Sequence, residues 1–145
     1  MSKLEDLGDK LEEKGIKIIN ISLDAITSCA ISINGWEAIV LDKSKLRNRT
    51  HELTVLSHEF CHLETGALYK MDAPKIIRDK CEYKANKMMV RMLIPVDQFK
   101  SLLRRGYDKW EIAEFFEDYN LSFIGIATIR FLLQGRTPFI TIFPL

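Results

Sequence analysis

The stretch His58-Glu59-Phe60-Cys61-His62 decides the fold, because its spacing has chemical meaning only on a helix. Side chains four residues apart on an α-helix point the same way, about one turn apart. Both imidazoles can therefore reach one metal ion, while Glu59 faces the space beside that ion. This spacing is typical of zinc hydrolase sites.

The surrounding sequence favours a helix. Residues 46–63 contain no Gly or Pro, and large apolar residues recur at spacings of three, four and three. These residues are Leu53, Leu56, Phe60 and Leu63. They mark one buried face, and His58 and His62 lie off it. The alternative is two exposed histidines on an amphipathic helix without a metal.

Length and charge limit the possible classes of protein. A chain of 145 residues with 47% hydrophobic residues can bury one core, so we expect a single domain over 1–145. Charge is balanced along the chain: residues 1–50 contain eight basic and eight acidic side chains, residues 51–96 contain seven basic and six acidic, and residues 97–145 contain six of each. No segment has a basic excess, which argues against direct binding to nucleic acid.

The cysteines and the N-terminal residues indicate the compartment. Cys29, Cys61 and Cys81 are an odd number at unrelated spacings, which favours reduced thiols. The first residues form a charged, amphipathic segment instead of a hydrophobic signal region. No run of about 18 apolar residues is present, so we expect a cytoplasmic protein without a membrane span.

The N-terminal third predicts one helix and a small sheet. A leucine stripe predicts a helix over 2–14, and Gly15 stands where a C-terminal cap belongs. Three runs rich in β-branched or apolar residues follow, at 16–21, 29–33 and Trp36–Leu41. The dipeptide Asn34-Gly35 favours a tight hairpin turn between the last two. The fold class is therefore α+β, with a small, largely antiparallel sheet packed on the motif helix.

The strand Trp36–Leu41 leads almost directly into the motif helix. A protease usually holds its substrate extended, and an exposed strand edge beside the metal can pair with it. This strand is our candidate for that edge. The alternative is an ordinary interior strand.

The rest of the chain predicts further helices. Pro74 suits the first turn of a helix that ends near Leu93, before Pro95. Capping patterns predict helices at 97–106, 109–117 and 122–133. A helix-turn-helix is one interpretation of the last two, but 122–133 is too apolar for a DNA groove and favours packing on the main body. We expect a catalytic core at 1–96 and a helical extension at 97–145, with an apolar tail at 138–145 that adds an edge strand or binds a partner.

The motif predicts specific chemistry. Hydrolytic zinc sites use three protein ligands and a water, so His58 and His62 need a third ligand from another element. A carboxylate is favoured, and Cys61 is badly placed because it points in another direction on the helix. Taken alone, Glu82 on the following helix is more typical of a solvated face than of a ligand.

Glu59 is the candidate general base. Zinc lowers the pKa of a bound water towards neutrality, and a nearby carboxylate can take its proton and pass it to the leaving amine. Its alternative is a surface carboxylate. A further oxyanion donor is needed, and the candidates are Tyr69, Tyr83 and His51. His51 lies about 10 Å from His58 along the helix axis, too far to share the metal.

Several stretches together resemble the ImmA/IrrE family of zinc metallopeptidases. They are 39–43, 53–62, Glu82-Tyr83-Lys84-Ala85-Asn86 and 92–95, within a match over roughly residues 15–118. That family shows a strand, an H-E-x-x-H helix, an E-x-x-A-N helix and a hydrophobic-Pro stop. The resemblance implies a zincin-like domain with Zn2+ as its cofactor.

The resemblance also assigns site residues. It implies that Glu82 is the third metal ligand and that Asn86 is a supporting residue that hydrogen-bonds a ligating histidine. The metal ligands are then His58, His62 and Glu82. The family often has Gly before the second His, where this chain has Cys61. A larger side chain there narrows the cleft or makes the site sensitive to oxidation.

Family members commonly cleave helix-turn-helix transcriptional repressors that keep a phage or integrative element silent. The resemblance implies a metalloendopeptidase with such a protein substrate. Two alternatives stay open. One is a catalytically weak or inactive zincin-fold module that binds a repressor or antitoxin-like partner without cutting it. The other is a DNA-binding regulator built on the C-terminal helices.

Overall fold

The structure, a computed structural model, describes residues 2–93, 97, 101 and 104–106. Its elements are helix α1 (Lys3–Glu13), strands β1 (Lys17–Asn20), β2 (Ser28–Ile33) and β3 (Trp36–Leu41), and helices α2 (Arg49–Thr65) and α3 (Lys75–Leu93). This is the predicted α+β class. The elements predicted at 109–117, 122–133 and 138–145 lie outside the described residues. Five residues of the helix predicted at 97–106 are described.

Helix ends follow the local sequence closely. Ser2 caps α1 and forms a capping box with Glu5. The Asn48 side chain accepts a hydrogen bond of 2.8 Å from the His51 backbone N–H and so sets the start of α2. Helix α2 thus begins at Arg49, after a separate 3-10 helix at Lys43–Lys45. Gly66 ends α2 with φ of 66°, a left-handed conformation that glycine adopts without strain.

The three strands form a mixed sheet in the order β1, β3, β2. Strands β2 and β3 form the predicted antiparallel hairpin, and Asn34 and Gly35 have the positive φ angles of 50° and 81° that a tight turn requires. Strand β1 pairs with β3 in parallel. The prediction of an antiparallel sheet is thus right for the hairpin and wrong for β1.

The linker at 21–27 explains the parallel pairing. Strand β1 ends opposite Leu41 on one side of β3, and β2 begins opposite Leu41 on the other side. The linker therefore only has to cross two strand spacings, about 10 Å. Strand β3 is central, so the prediction that Trp36–Leu41 is an exposed edge is wrong and the interior alternative is confirmed.

Two side chains hold this linker in place. The Lys45 ammonium donates hydrogen bonds to the backbone carbonyls of Leu23, Asp24 and Ile26. The Asp42 carboxylate accepts a hydrogen bond of 3.0 Å from the Leu23 N–H. Loop carbonyls that would otherwise need water are satisfied, and the start of β2 is fixed relative to the end of β3.

Helix α2 is the centre of the domain core. The sheet, α1 and α3 pack around it, and every residue from 53 to 63 is buried. The predicted apolar stripe is confirmed, but the opposite side of the helix is covered as well. Ser57, His58, Glu59 and His62 are all less than 9% exposed. Among the residues that the structure describes, no helix combines the length and the apolar composition that crossing a membrane requires.

Candidate metal centre

Two histidines and one glutamate converge between α2 and α3. The Nε2 atoms of His58 and His62 lie 3.1 Å apart. Oε2 of Glu82 lies 2.8 Å from His58 Nε2, and Oε1 lies 3.2 Å from His62 Nε2. Within the residues that the structure describes, this is the group of side chains arranged to hold a metal ion, with its ligand atoms within 4.8 Å of one another.

The helices explain why these side chains meet. His58 and His62 are one turn apart on α2, and α3 packs along that helix. Glu82 shares the inward stripe of α3 with Ala85, Met89 and Leu93, which are 0%, 0% and 3% exposed. The solvated-face interpretation of Glu82 is therefore wrong. Its carboxylate is directed at α2 by the same apolar residues that fasten the two helices together.

Hydrogen bonding fixes the tautomer of His62. Its Nδ1 lies 2.7 Å from the backbone carbonyl of Ala67. A carbonyl can only accept, so Nδ1 carries the proton and donates it. Neutral His62 then presents the lone pair of Nε2 to His58 and Glu82. That lone pair and the Glu82 carboxylate, 3.2 Å apart, repel unless a proton or a cation lies between them.

Electrostatics show how the site behaves without a metal. Burial alone would raise the pKa of Glu82, but hydrogen bonds from His58, His62 and Tyr69 outweigh it and hold that pKa well below its usual range. Burial alone would lower the pKa of His62, but the hydrogen bond and charge of Glu82 raise it above the usual 6.5. The carboxylate thus draws positive charge into the cluster.

The donor set fits zinc. Two imidazole nitrogens and a carboxylate oxygen are the ligands of one class of catalytic zinc site. Metal–ligand bonds of about 2.0–2.1 Å at tetrahedral angles place neighbouring donor atoms about 3.3 Å apart. The two histidine nitrogens, 3.1 Å apart, lie close to this value. Each of them lies within 3.2 Å of one oxygen of Glu82, Oε2 for His58 and Oε1 for His62.

Glu59 follows His58 in α2 and is also buried, with 5% of its surface exposed. It is near enough to the cluster for its charge to add to the effect of Glu82 in raising the pKa of His62. Its Oε1 accepts a hydrogen bond of 2.8 Å from the Ser28 hydroxyl. Ser28 is the first residue of β2, which, like β1, pairs on one side only in the described part of the chain. The surface-carboxylate alternative for Glu59 is therefore wrong, and one edge of the sheet begins next to this carboxylate.

The other predicted residues have different positions. Asn86 lies one turn after Glu82 and is 2% exposed. Its Oδ1 accepts no hydrogen bond within the described residues, so the predicted bond between Asn86 and a histidine stays a prediction. The Tyr69 hydroxyl donates to Glu82, whereas the His51 ring accepts from the Arg47 N–H near the start of α2. A role for Tyr83 in the site stays a prediction. Cys61 is fully buried in the apolar core instead of lining the cleft.

Two contacts of the site were not predicted from the sequence. Ser28 is separated from Glu59 by 31 residues, and no motif connects them. The Ala67 contact uses a backbone carbonyl, which every residue type has, so the sequence does not indicate it. Gly66, just before Ala67, was the one signal for this contact in the sequence. A glycine cap indicates that the chain turns back towards the end of α2.

Comparison with protein-family models, with curated proteins and with solved structures finds no match to this chain.

Proposed function

We propose that this chain is a zinc-dependent metalloendopeptidase of the ImmA/IrrE type that cleaves a helix-turn-helix transcriptional repressor. One observation carries the proposal: the His58, His62 and Glu82 donor atoms converge beside a buried glutamate. A structural zinc site would need no such neighbour. The repressor substrate rests on the sequence resemblance alone.

The residues suggest how the reaction would proceed. Zinc held by His58, His62 and Glu82 would act as a Lewis acid towards the peptide carbonyl and acidify a water. Glu59 would take the proton of the attacking water and transfer it to the nitrogen of the leaving amine. The Ser28 hydroxyl would hold the Glu59 carboxylate in one orientation during both transfers.

The sheet offers a place for an extended substrate. Among the described residues, β2 has one paired side and begins at Ser28, next to Glu59. A peptide strand that pairs with this edge would run past the candidate base. Strand β2 therefore replaces Trp36–Leu41 as the proposed substrate-binding strand.

The test compares Glu59→Gln with wild-type protein. We expect Glu59→Gln to bind as much zinc as wild type, measured by elemental analysis, and to leave a purified helix-turn-helix repressor uncut. The matched control is Glu64→Gln on the same helix, because Glu64 pairs with Lys14 away from the cluster. Undiminished cleavage by Glu59→Gln would refute the catalytic role. Intact repressor in a stable complex with wild-type protein would favour the non-cleaving alternative.

A further inference from the structure

The loop at 66–74 between α2 and α3 contacts two of the three candidate metal ligands. Its Ala67 carbonyl accepts the Nδ1 proton of His62 at 2.7 Å. Its Tyr69 hydroxyl donates to Oε1 of Glu82 at 2.6 Å. One short connection therefore orients one ligand from each helix.

The loop is itself fastened to the end of α2. The Thr65 hydroxyl donates to the Cys61 carbonyl at 2.7 Å and accepts from the Ala67 N–H at 3.3 Å. The Leu68 N–H donates to the Gly66 carbonyl at 2.9 Å, and the Leu68 side chain packs against the core. Ala67 and Tyr69 on either side of Leu68 are thereby held in fixed positions.

Tyr69 is suited to hold a carboxylate. Its ring meets the His62 ring edge to face, with centroids 6.2 Å apart. A short hydrogen bond from a hydroxyl to a carboxylate is among the stronger kinds. It limits rotation of a side chain that otherwise has several rotamers.

We infer that Tyr69 is a positioning residue for Glu82, and that the loop at 66–74 sets how tightly the protein holds a divalent cation. The inference rests on the proposed metal site. Supporting hydrogen bonds of this kind typically change metal affinity by about 10- to 100-fold when they are removed. The hydroxyl bonds Oε1, the oxygen that also lies 3.2 Å from His62 Nε2, so its removal frees the carboxylate to change its orientation towards the ion.

The test measures affinity for Zn2+ by competition with a chromophoric chelator, on the full chain. We expect Tyr69→Phe, which keeps the ring, to weaken binding by about 10- to 100-fold. The matched control is Met71→Ala, because Met71 lies on the same loop and is 94% exposed. This control should bind Zn2+ within about twofold of wild type. Thermal melts of the metal-free proteins establish that both variants fold.

A second measurement separates positioning from a general loosening of the loop. Co2+ absorption reports coordination geometry, and we expect the spectrum of Tyr69→Phe to differ from that of wild type, because the Glu82 carboxylate is no longer held in one orientation. Wild-type affinity in Tyr69→Phe, or weaker binding with an unchanged Co2+ spectrum, would overturn the inference. Neither result would affect the proposed site, which fails only if Glu82→Gln also binds Zn2+ as wild type does.

Discussion

Replacing Glu82 with Gln tests the metal site through the stability of the fold. A ligand that binds only the folded state stabilises it by about 2.7 kcal/mol when present at 100 times its dissociation constant. For a chain of 145 residues, each kcal/mol corresponds to about 2–4 °C in Tm. We therefore expect Zn2+ at that concentration to raise the Tm of the wild-type protein by about 5–11 °C.

The substitution keeps the shape of the side chain and removes its charge. Loss of a direct ligand should weaken binding at least as much as loss of a supporting contact, so by about 100-fold or more. At the same Zn2+ concentration the stabilisation then falls to about 0.4 kcal/mol, and the shift in Tm to about 1–2 °C. Differential scanning calorimetry with and without Zn2+ measures both shifts.

The control for this experiment is Asp79→Asn, which removes a carboxylate from the same helix. Asp79 pairs with Lys75 and is outside the cluster. Its variant should keep the full Zn2+-dependent shift. A Glu82→Gln protein that also keeps the full shift would refute the reasoning, since the ion would then be bound without this carboxylate.

Three further outcomes follow from the burial and charge of individual side chains. Phe60→Ala should lower the free energy of unfolding by about 3–5 kcal/mol in urea titrations, because Phe60 is 0% exposed in the core; a loss below about 1 kcal/mol would contradict this. Burial raises the pKa of the Cys61 thiol to about 12, so iodoacetamide at about pH 8 should label it, by mass spectrometry, only after unfolding. In metal-free protein the raised pKa of His62 stabilises the fold fully below the usual value of 6.5 and progressively less as pH rises through the folded value. The urea midpoint should therefore fall as pH is raised above 6.5 in wild type but not in Glu82→Gln.

The sequence predicted those parts of the structure that depend on local rules. The capped helices, the Asn34-Gly35 hairpin and the pair of histidines on α2 all follow from spacing and turn chemistry within a few residues. The pairing of β1 could not be predicted in this way, because a hydrophobic pattern specifies a strand but not its partner or its direction. For the same reason β3 was assigned to an edge that β2 occupies.

The residues of the site also differ in whether the sequence could identify them. Glu82 could be named only through a family pattern, since a single glutamate on a helix carries no signal of its own. Ser28 and Tyr69 contact the site through tertiary packing, and neither belongs to a recognisable motif. Cys61 shows the opposite error. The family's Gly at this position suggested that a larger side chain narrows the cleft, but a rotation of about 100° per residue along the helix directs Cys61 into the core.

The metal-holding side chains and the loop that orients them all lie between His58 and Glu82, in one helical hairpin. The partner of Glu59, by contrast, arrives from the sheet. Contacts that are close in the sequence form sooner during folding than distant ones, because less chain entropy is lost in closing them. Because the Ser28–Glu59 contact closes a longer stretch of chain than the His58–Glu82 contact, we expect the three metal-holding side chains to meet before Ser28 reaches Glu59.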